Sequence, residues 1–181
     1  MALFRSIVGL TVLLMLVACR GDPIQFYTLT PTQTAGVVQP SGVEMQIEAI
    51  SVPPQVDRQQ IVIRSSDSSL AIQENHWWGA SLADELRSAL AQQLPSDSSG
   101  RRLSIRLDVQ RIDSVPGQYA FVDVKWRLRD LELGDKPIVH CRSALKTSAG
   151  VNINDIVIAH QNNLQRLAAE ISQAARGGRC P

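Results

Sequence analysis

The chain has 181 residues, with 18 lysines and arginines against 17 aspartates and glutamates, and 44% of it is hydrophobic. That length suits one domain with a single core, which buries about 70% of the surface of its unfolded chain. The near-neutral balance excludes the basic footprint of a nucleic-acid binder, so no nucleic acid is expected among its partners.

At the amino terminus Arg5 precedes the apolar stretch Ile7 to Val17, which gives way to polar Arg20, Gly21 and Asp22. A membrane-spanning helix needs about 20 apolar residues, so this stretch is too short to span and has the form of a signal peptide. It closes on Leu16-Val17-Ala18-Cys19, which resembles the lipobox of bacterial lipoproteins: a branched apolar residue, two small or modest residues, then the cysteine. Small residues before the cut fit a peptidase groove, and a thiol is nucleophilic enough to take a diacylglyceryl group. The alternative is an ordinary secretory cut beside a free cysteine. The lipobox makes residues 1–18 a removed leader and Cys19 the acylated first residue, with membrane lipid as its partner. One acyl chain binds a membrane only reversibly, whereas two or three on one cysteine hold durably. Arg20 stands where an aspartate would signal retention in the inner membrane, so an outer-membrane, lipid-anchored, periplasmic-facing protein is expected. Cleavage removes Arg5 and no acid, leaving basic and acidic residues equal in number.

The next elements follow in chain order. Gln25 to Leu29 is a short β-prone run, and Pro31 to Gly42 reads as a linker rich in Thr, Gln, Gly, Pro and Ser. Val43, Met45 and Ile47 open a strand in period two that Pro53 and Pro54 stop. Ile61 to Ile63 forms a strand, Ser65 to Ser69 a turn, and Leu70 to Gln73 returns antiparallel. From Ser81 to Leu94, Leu82, Leu86, Ala89, Leu90 and Gln93 share a helical stripe with Asp84, Glu85, Arg87 and Gln92 off it. Ser81 and Asp84 have the spacing of a capping box, and Pro95 stops the run.

Leu103, Ile105, Leu107 and Val109 alternate with polar residues, as do Val122, Val124, Trp126 and Leu128. Turns at Val115 to Gln118 and Gly134 to Pro137, followed by a strand from Ile138 to Thr147, make an antiparallel meander. Asn154 is placed to cap a last helix reaching Ala175, with Gly177 ending it. The expected fold is a single α+β domain, mainly antiparallel sheet, with two amphipathic helices packed on one face and no alternating βαβ units.

Residues that carry chemistry are sparse. His76, His140 and His160 fall in no metal-binding pattern, and no glycine-rich loop has phosphate-cradling spacing, so neither metal nor cofactor is expected. Gly79-Ala80-Ser81-Leu82-Ala83 approaches a nucleophile elbow, but Ala83 replaces its second glycine. Glu74 to Trp78 ahead of it is also not an apolar strand, so Ser81 reads as a helix cap. Acylation of Cys19 leaves Cys141 and Cys180 as an even pair in an oxidising compartment, where they form either a disulfide or two unpaired thiols. Trp77 and Trp78 open the first helix, where one ring can plug the core edge and the other dock a partner, unless both pack internally. The corner from Pro53 to Arg58 offers partner contacts at Pro53, Asp57 and Arg58, with a solvated turn at Asp57 and Arg58 as the alternative.

Taken together, the lipobox, Tyr27-Thr28-Leu29, the stretch Val52-Pro53-Pro54-Gln55-Val56-Asp57-Arg58-Gln59-Gln60-Ile61-Val62-Ile63-Arg64, and Trp78 opening an amphipathic helix resemble the paraquat-inducible protein C family, the ABC-type transport auxiliary lipoproteins. The order and spacing of the motifs carry the resemblance, which spans most of the mature chain. Where the family often has a bulky pair before Asp-Arg, this chain has Gln55 and Val56. The resemblance implies a non-enzymatic component at the outer membrane, working with an inner-membrane-anchored protein built of mammalian-cell-entry domains in lipid transport and envelope integrity. It admits a ring of identical subunits. It divides the chain into a leader, 1–18; a lipidated amino terminus with short strand and linker, 19–42; and an auxiliary lipoprotein domain, 43–181. The competing expectations are an envelope hydrolase using Ser81 and a lipoprotein that binds a small apolar ligand.

Overall fold

A computed structural model of the protein describes residues 22–32, 42–134 and 137–181. The leader, Cys19, most of the linker and turn residues 135 and 136 lie outside the described residues. Among the described residues, seven strands and two helices follow in the order β1 (Gln25–Tyr27), β2 (Val43–Ser51), β3 (Gln60–Arg64), β4 (Leu70–Trp78), α1 (Leu82–Ala91), β5 (Arg101–Val115), β6 (Tyr119–Asp130), β7 (Pro137–Ser148) and α2 (Ile153–Gly177). The architecture is α+β.

The strands form two sheets: β1-β4-β3, and β2-β5-β6-β7. The predicted meander is there, antiparallel through β5, β6 and β7. Its first turn has its chemistry written in Pro116-Gly117: Gln118 N–H donates to Val115 O (3.0 Å), and Gly117 takes φ +74°. Proline presets the first central residue of such a turn, and glycine supplies the positive φ of the second. Two pairings were not foreseen, since β1 runs parallel to β4 and β2 parallel to β5. The chain between β2 and β5 makes the crossover with a hairpin and a helix. β4 also continues past Gln73 to Trp78, so a strand does precede Ser81. Its polar residues are tolerated because the strand is only partly covered on both faces: Gln73 and Asn75 on one side and His76 on the other are half-buried, and Glu74 is exposed.

Both helices cover the same face of the four-stranded sheet. Alternation turns Leu103, Ile105, Leu107 and Val109 of β5 inward with Val122, Val124, Trp126 and Leu128 of β6. Against them α2 lays Leu164, Leu167, Ala168 and Ile171, spaced by three or four residues as a helical stripe must be. Ile171 is wholly buried, and trimming it to alanine would cost about 2–5 kcal/mol in lost burial and cavity formation.

The α2 ends differ from expectation. Its N-cap is Asn152, not Asn154, and the Asp155 carboxylate accepts the Asn152 N–H (3.4 Å). Asp155 lies three residues on, the reciprocal spacing that Asn154 lacks. The helix takes in Gly177, and the left-handed C-cap is Gly178 (φ 65°), whose N–H returns to Ala174 O. On α1, Ser81 is the N-cap as predicted; its hydroxyl accepts the Asp84 N–H (3.2 Å) and donates to Asp84 Oδ2 (2.6 Å).

Candidate functional site

The predicted contact residues gather at one end of the three-stranded sheet. Pro53 opens a tight corner in which Val56 N–H and Asp57 N–H both donate to Pro53 O (3.0 and 3.2 Å). Val56 is buried and anchors the corner, while Asp57 and Arg58 point to solvent. The corner feeds β3, whose first residue Gln60 pairs with Trp77, and Trp78 N–H donates to Gln59 O (2.7 Å). Trp78 is a core residue. Trp77 is half-buried, with its indole N–H on Glu74 O (2.8 Å) and its ring edge-on to Phe26 at 6.3 Å between centroids. The two tryptophans therefore divide between core and surface.

Two exposed apolar residues at this edge of the sheet escaped the sequence reading. Phe26 is 66% exposed and Ile24 is 48% exposed, so they extend the aromatic patch along β1. Their signal was there, since Phe26 lies in a β-prone run where alternation turns one ring out. The chain is fixed at this point by Glu85 of α1, which the helical stripe had placed off the core. Its carboxylate is buried and accepts from Thr28 Oγ1 and Leu29 N–H, both at 2.8 Å. From α2, Gln161 Nε2 donates to Thr28 O (3.0 Å). Tyr27-Thr28-Leu29 thus has a physical role: Leu29 fills the core and Thr28 ties the leading segment to both helices.

Nucleophile geometry is not assembled at Ser81. His76 bonds Tyr27 OH (2.9 Å), and His160 bonds Ser114 Oγ (3.0 Å), so neither serves it. The Ser114–His160 contact has the distance of a nucleophile and its base, yet both residues are buried between β5 and α2. Burial pushes the His160 pKa down to about 4, against the opposing pull of Asp113. Among the described residues no group of three or more His, Cys, Asp and Glu side chains is placed to hold a metal ion, and no helix is long and apolar enough to cross a membrane. Cys141 on β7 and Cys180 in the tail are bonded, with Cα atoms 5.6 Å apart.

These features define a single α+β domain of two sheets whose helices share one face. The chain belongs to the family of ABC-type transport auxiliary lipoprotein components, which matches residues 27–172. No curated protein matches it in sequence. Two crystal structures share its fold. One, of an uncharacterized protein, superimposes with a TM-score of 0.66 at 16% identity, covering 85% of this chain and 99% of the other. The second, a Xanthomonas campestris protein of the family DUF330, gives 0.67 at 15% identity, covering 85% and 96%.

Proposed function

We propose that this protein is the outer-membrane-anchored, periplasmic lipoprotein of a mammalian-cell-entry-domain lipid transport system, of the paraquat-inducible protein C kind, and that it is not an enzyme. Membership of the transport auxiliary lipoprotein family is the observation that carries the proposal. Acylation at Cys19 tethers the domain, and docking rather than catalysis is its task. The exposed corner Asp57-Arg58 and the patch of Trp77, Phe26 and Ile24 are the contact surface, because an accessible aromatic group beside an arginine is the composition that dominates protein interfaces. The serine-hydrolase alternative is disfavoured by the capping bonds that occupy Ser81. Affinity purification from solubilised envelopes tests the proposal: an inner-membrane protein with mammalian-cell-entry domains is expected to accompany the wild-type chain, and its absence from repeated cross-linked preparations would refute it.

A further inference from the structure

The chain enters its fold within a few residues of its proposed anchor. Cys19 stands five residues before Ile24 and seven before Phe26. A fully extended chain spans at most about 3.6 Å per residue, so Ile24 stays within about 18 Å of the Cys19 α-carbon and Phe26 within about 25 Å. The polar layer of a bilayer is itself about 5–8 Å deep on each side. The segment that follows is locked to the domain: Glu85 of α1 accepts from Thr28 Oγ1 and Leu29 N–H (both 2.8 Å), and Gln161 of α2 donates to Thr28 O (3.0 Å). Anchoring Cys19 therefore brings the β1 edge of the domain down to the membrane.

What β1 presents there is apolar. It is an outer strand of the three-stranded sheet, and alternation packs Tyr27 against the core while Phe26 is 66% exposed. Ile24, just ahead of it, is 48% exposed. Phe26 pairs with Trp77 on β4, whose half-buried ring already has its indole N–H satisfied by Glu74 O (2.8 Å) and so loses no hydrogen bond on leaving water. Aromatic rings gather at the membrane–water interface. So few contacts would not hold a free protein on a bilayer, but a short tether supplies an effective concentration of about millimolar, at which weak contacts fix orientation. A protein reaching Ile24 would have to slide between domain and lipid within that same length of chain.

We infer that the β1 edge, with Ile24 and Phe26 as its direct contacts, rests on the lipid surface in which Cys19 is anchored. The inference rests on acylation of Cys19 and deepens the docking reading by dividing its surface. Ile24 and Phe26 meet lipid, and Trp77 marks the boundary. The Asp57–Arg58 corner, which feeds β3 two strand spacings or about 10 Å from β1, is left to the partner.

The test reconstitutes the full acylated protein into vesicles of phosphatidylethanolamine and phosphatidylglycerol whose acyl chains carry bromine near the headgroup, a contact quencher of tryptophan fluorescence. Trp78 and Trp126 are buried, so the quenched emission should be that of Trp77, whose ring is 6.3 Å from that of Phe26, and should be missing from Trp77→Phe. Ile24→Ser combined with Phe26→Ser should abolish the quenching. Both positions are exposed, so the fold should survive, as an unchanged melting temperature would verify. Leu70→Ser removes an apolar side chain of similar exposure, 43%, at the far end of β4, about 20 Å along the strand from Trp77, and should leave the quenching intact. No quenching in protein that floats with the vesicles would overturn the inference, as would quenching that survives the double variant or is lost equally with Leu70→Ser. So would a Trp77 shielded from aqueous acrylamide yet untouched by bromolipid, which marks a second copy or another protein as the occupant. Protein that does not float would sink the Cys19 reading and the inference with it. Partner pull-down on the same preparations bears on docking alone. If the partner is recovered without quenching, the lipid contact fails alone; if quenching is seen and no partner is recovered, the docking reading fails alone.

Discussion

Ser114 Oγ and His160 Nε2 meet at 3.0 Å where β5 and α2 close over each other, and the pair is shut off from solvent. Because burial holds the imidazole pKa at about 4, the native state refuses a proton that the unfolded chain takes near pH 6.5. This contribution is complete above about pH 6.5 and is lost as pH falls toward 4, by about 3 kcal/mol in all. Below that, Asp123 and Asp130 take over: their partners, Arg142 for the first and the Glu132 N–H for the second, hold both carboxyls below the usual range, so their stabilisation goes as they are protonated. Denaturation midpoints measured from pH 7.5 to 3 should fall in these two stages. His160→Gln should remove the first stage and keep the second; a variant with an unchanged profile would show that His160 does not set it.

Inside the sheet, Trp126 Nε1 donates to Ser143 Oγ (2.9 Å), which passes its own proton toward Glu170 of α2. Ser143→Ala leaves the buried indole N–H without its acceptor, at a cost of about 1–3 kcal/mol. Urea unfolding should show that loss, and it should shrink when Trp126 is already Phe. Equal losses in both backgrounds would mean that the hydrogen bond contributes nothing measurable.

The bridge between Cys141 and Cys180 joins residues 39 apart in sequence. Restricting the unfolded chain over such a loop is worth about 4 kcal/mol on chain-entropy grounds. Protein matured in the periplasm should resist alkylation at both positions. Cys180→Ser or reduction should lower the melting temperature, and reductant should not affect the Cys141→Ala, Cys180→Ala double variant. Free alkylation of both thiols before reduction would contradict the bond.

Both helices and the β5-β6-β7 meander were legible because each depends on local rules: a stripe every three or four residues, alternation every two, and Pro116-Gly117 at a turn. The parallel partners of β1 and β2 were not, because periodicity says which face of a strand is buried and nothing about which strand lies beside it. Glu85 was misread because a carboxylate on a helix is usually solvated; its partners at Thr28 and Leu29 are 56 or 57 residues away. The Asn152 cap could have been chosen over Asn154 from Asp155 alone. The facing of Arg106 and Arg127 across β5 and β6 was hidden differently, since each reads as the wet half of an alternating strand. Only register brings them into facing rows.

Cys19 lies outside the described residues, so lipidation rests on the Leu16 to Cys19 motif and the short apolar stretch before it. Mass spectrometry of the amino-terminal peptide from native membranes should find a cleaved, acylated Cys19. Cys19→Ala should leave an uncleaved or mislocalised precursor. An unmodified Cys19 in the wild-type protein would remove the anchor from the proposed function.

The docking surface makes the sharpest contrast with the hydrolase alternative. Arg58 is exposed on a corner held by buried Val56, and Trp77 shows part of its ring beside Phe26, so truncating either should disturb association more than folding. Arg58→Ala or Trp77→Ala should weaken partner binding by about 2 kcal/mol, the loss typical of an interface anchor. Ser81→Ala removes only the cap on Asp84 N–H, worth about 1 kcal/mol of stability, and should leave transport intact. Trp78→Ala differs from both: it opens a cavity in the core and should unfold the domain by about 3–5 kcal/mol. Pull-down of the partner and envelope sensitivity, compared at matched protein levels, measure all four variants. Loss of function with Ser81→Ala while Arg58 and Trp77 prove dispensable would favour catalysis, because a cap's small stability cost cannot abolish transport at equal protein abundance.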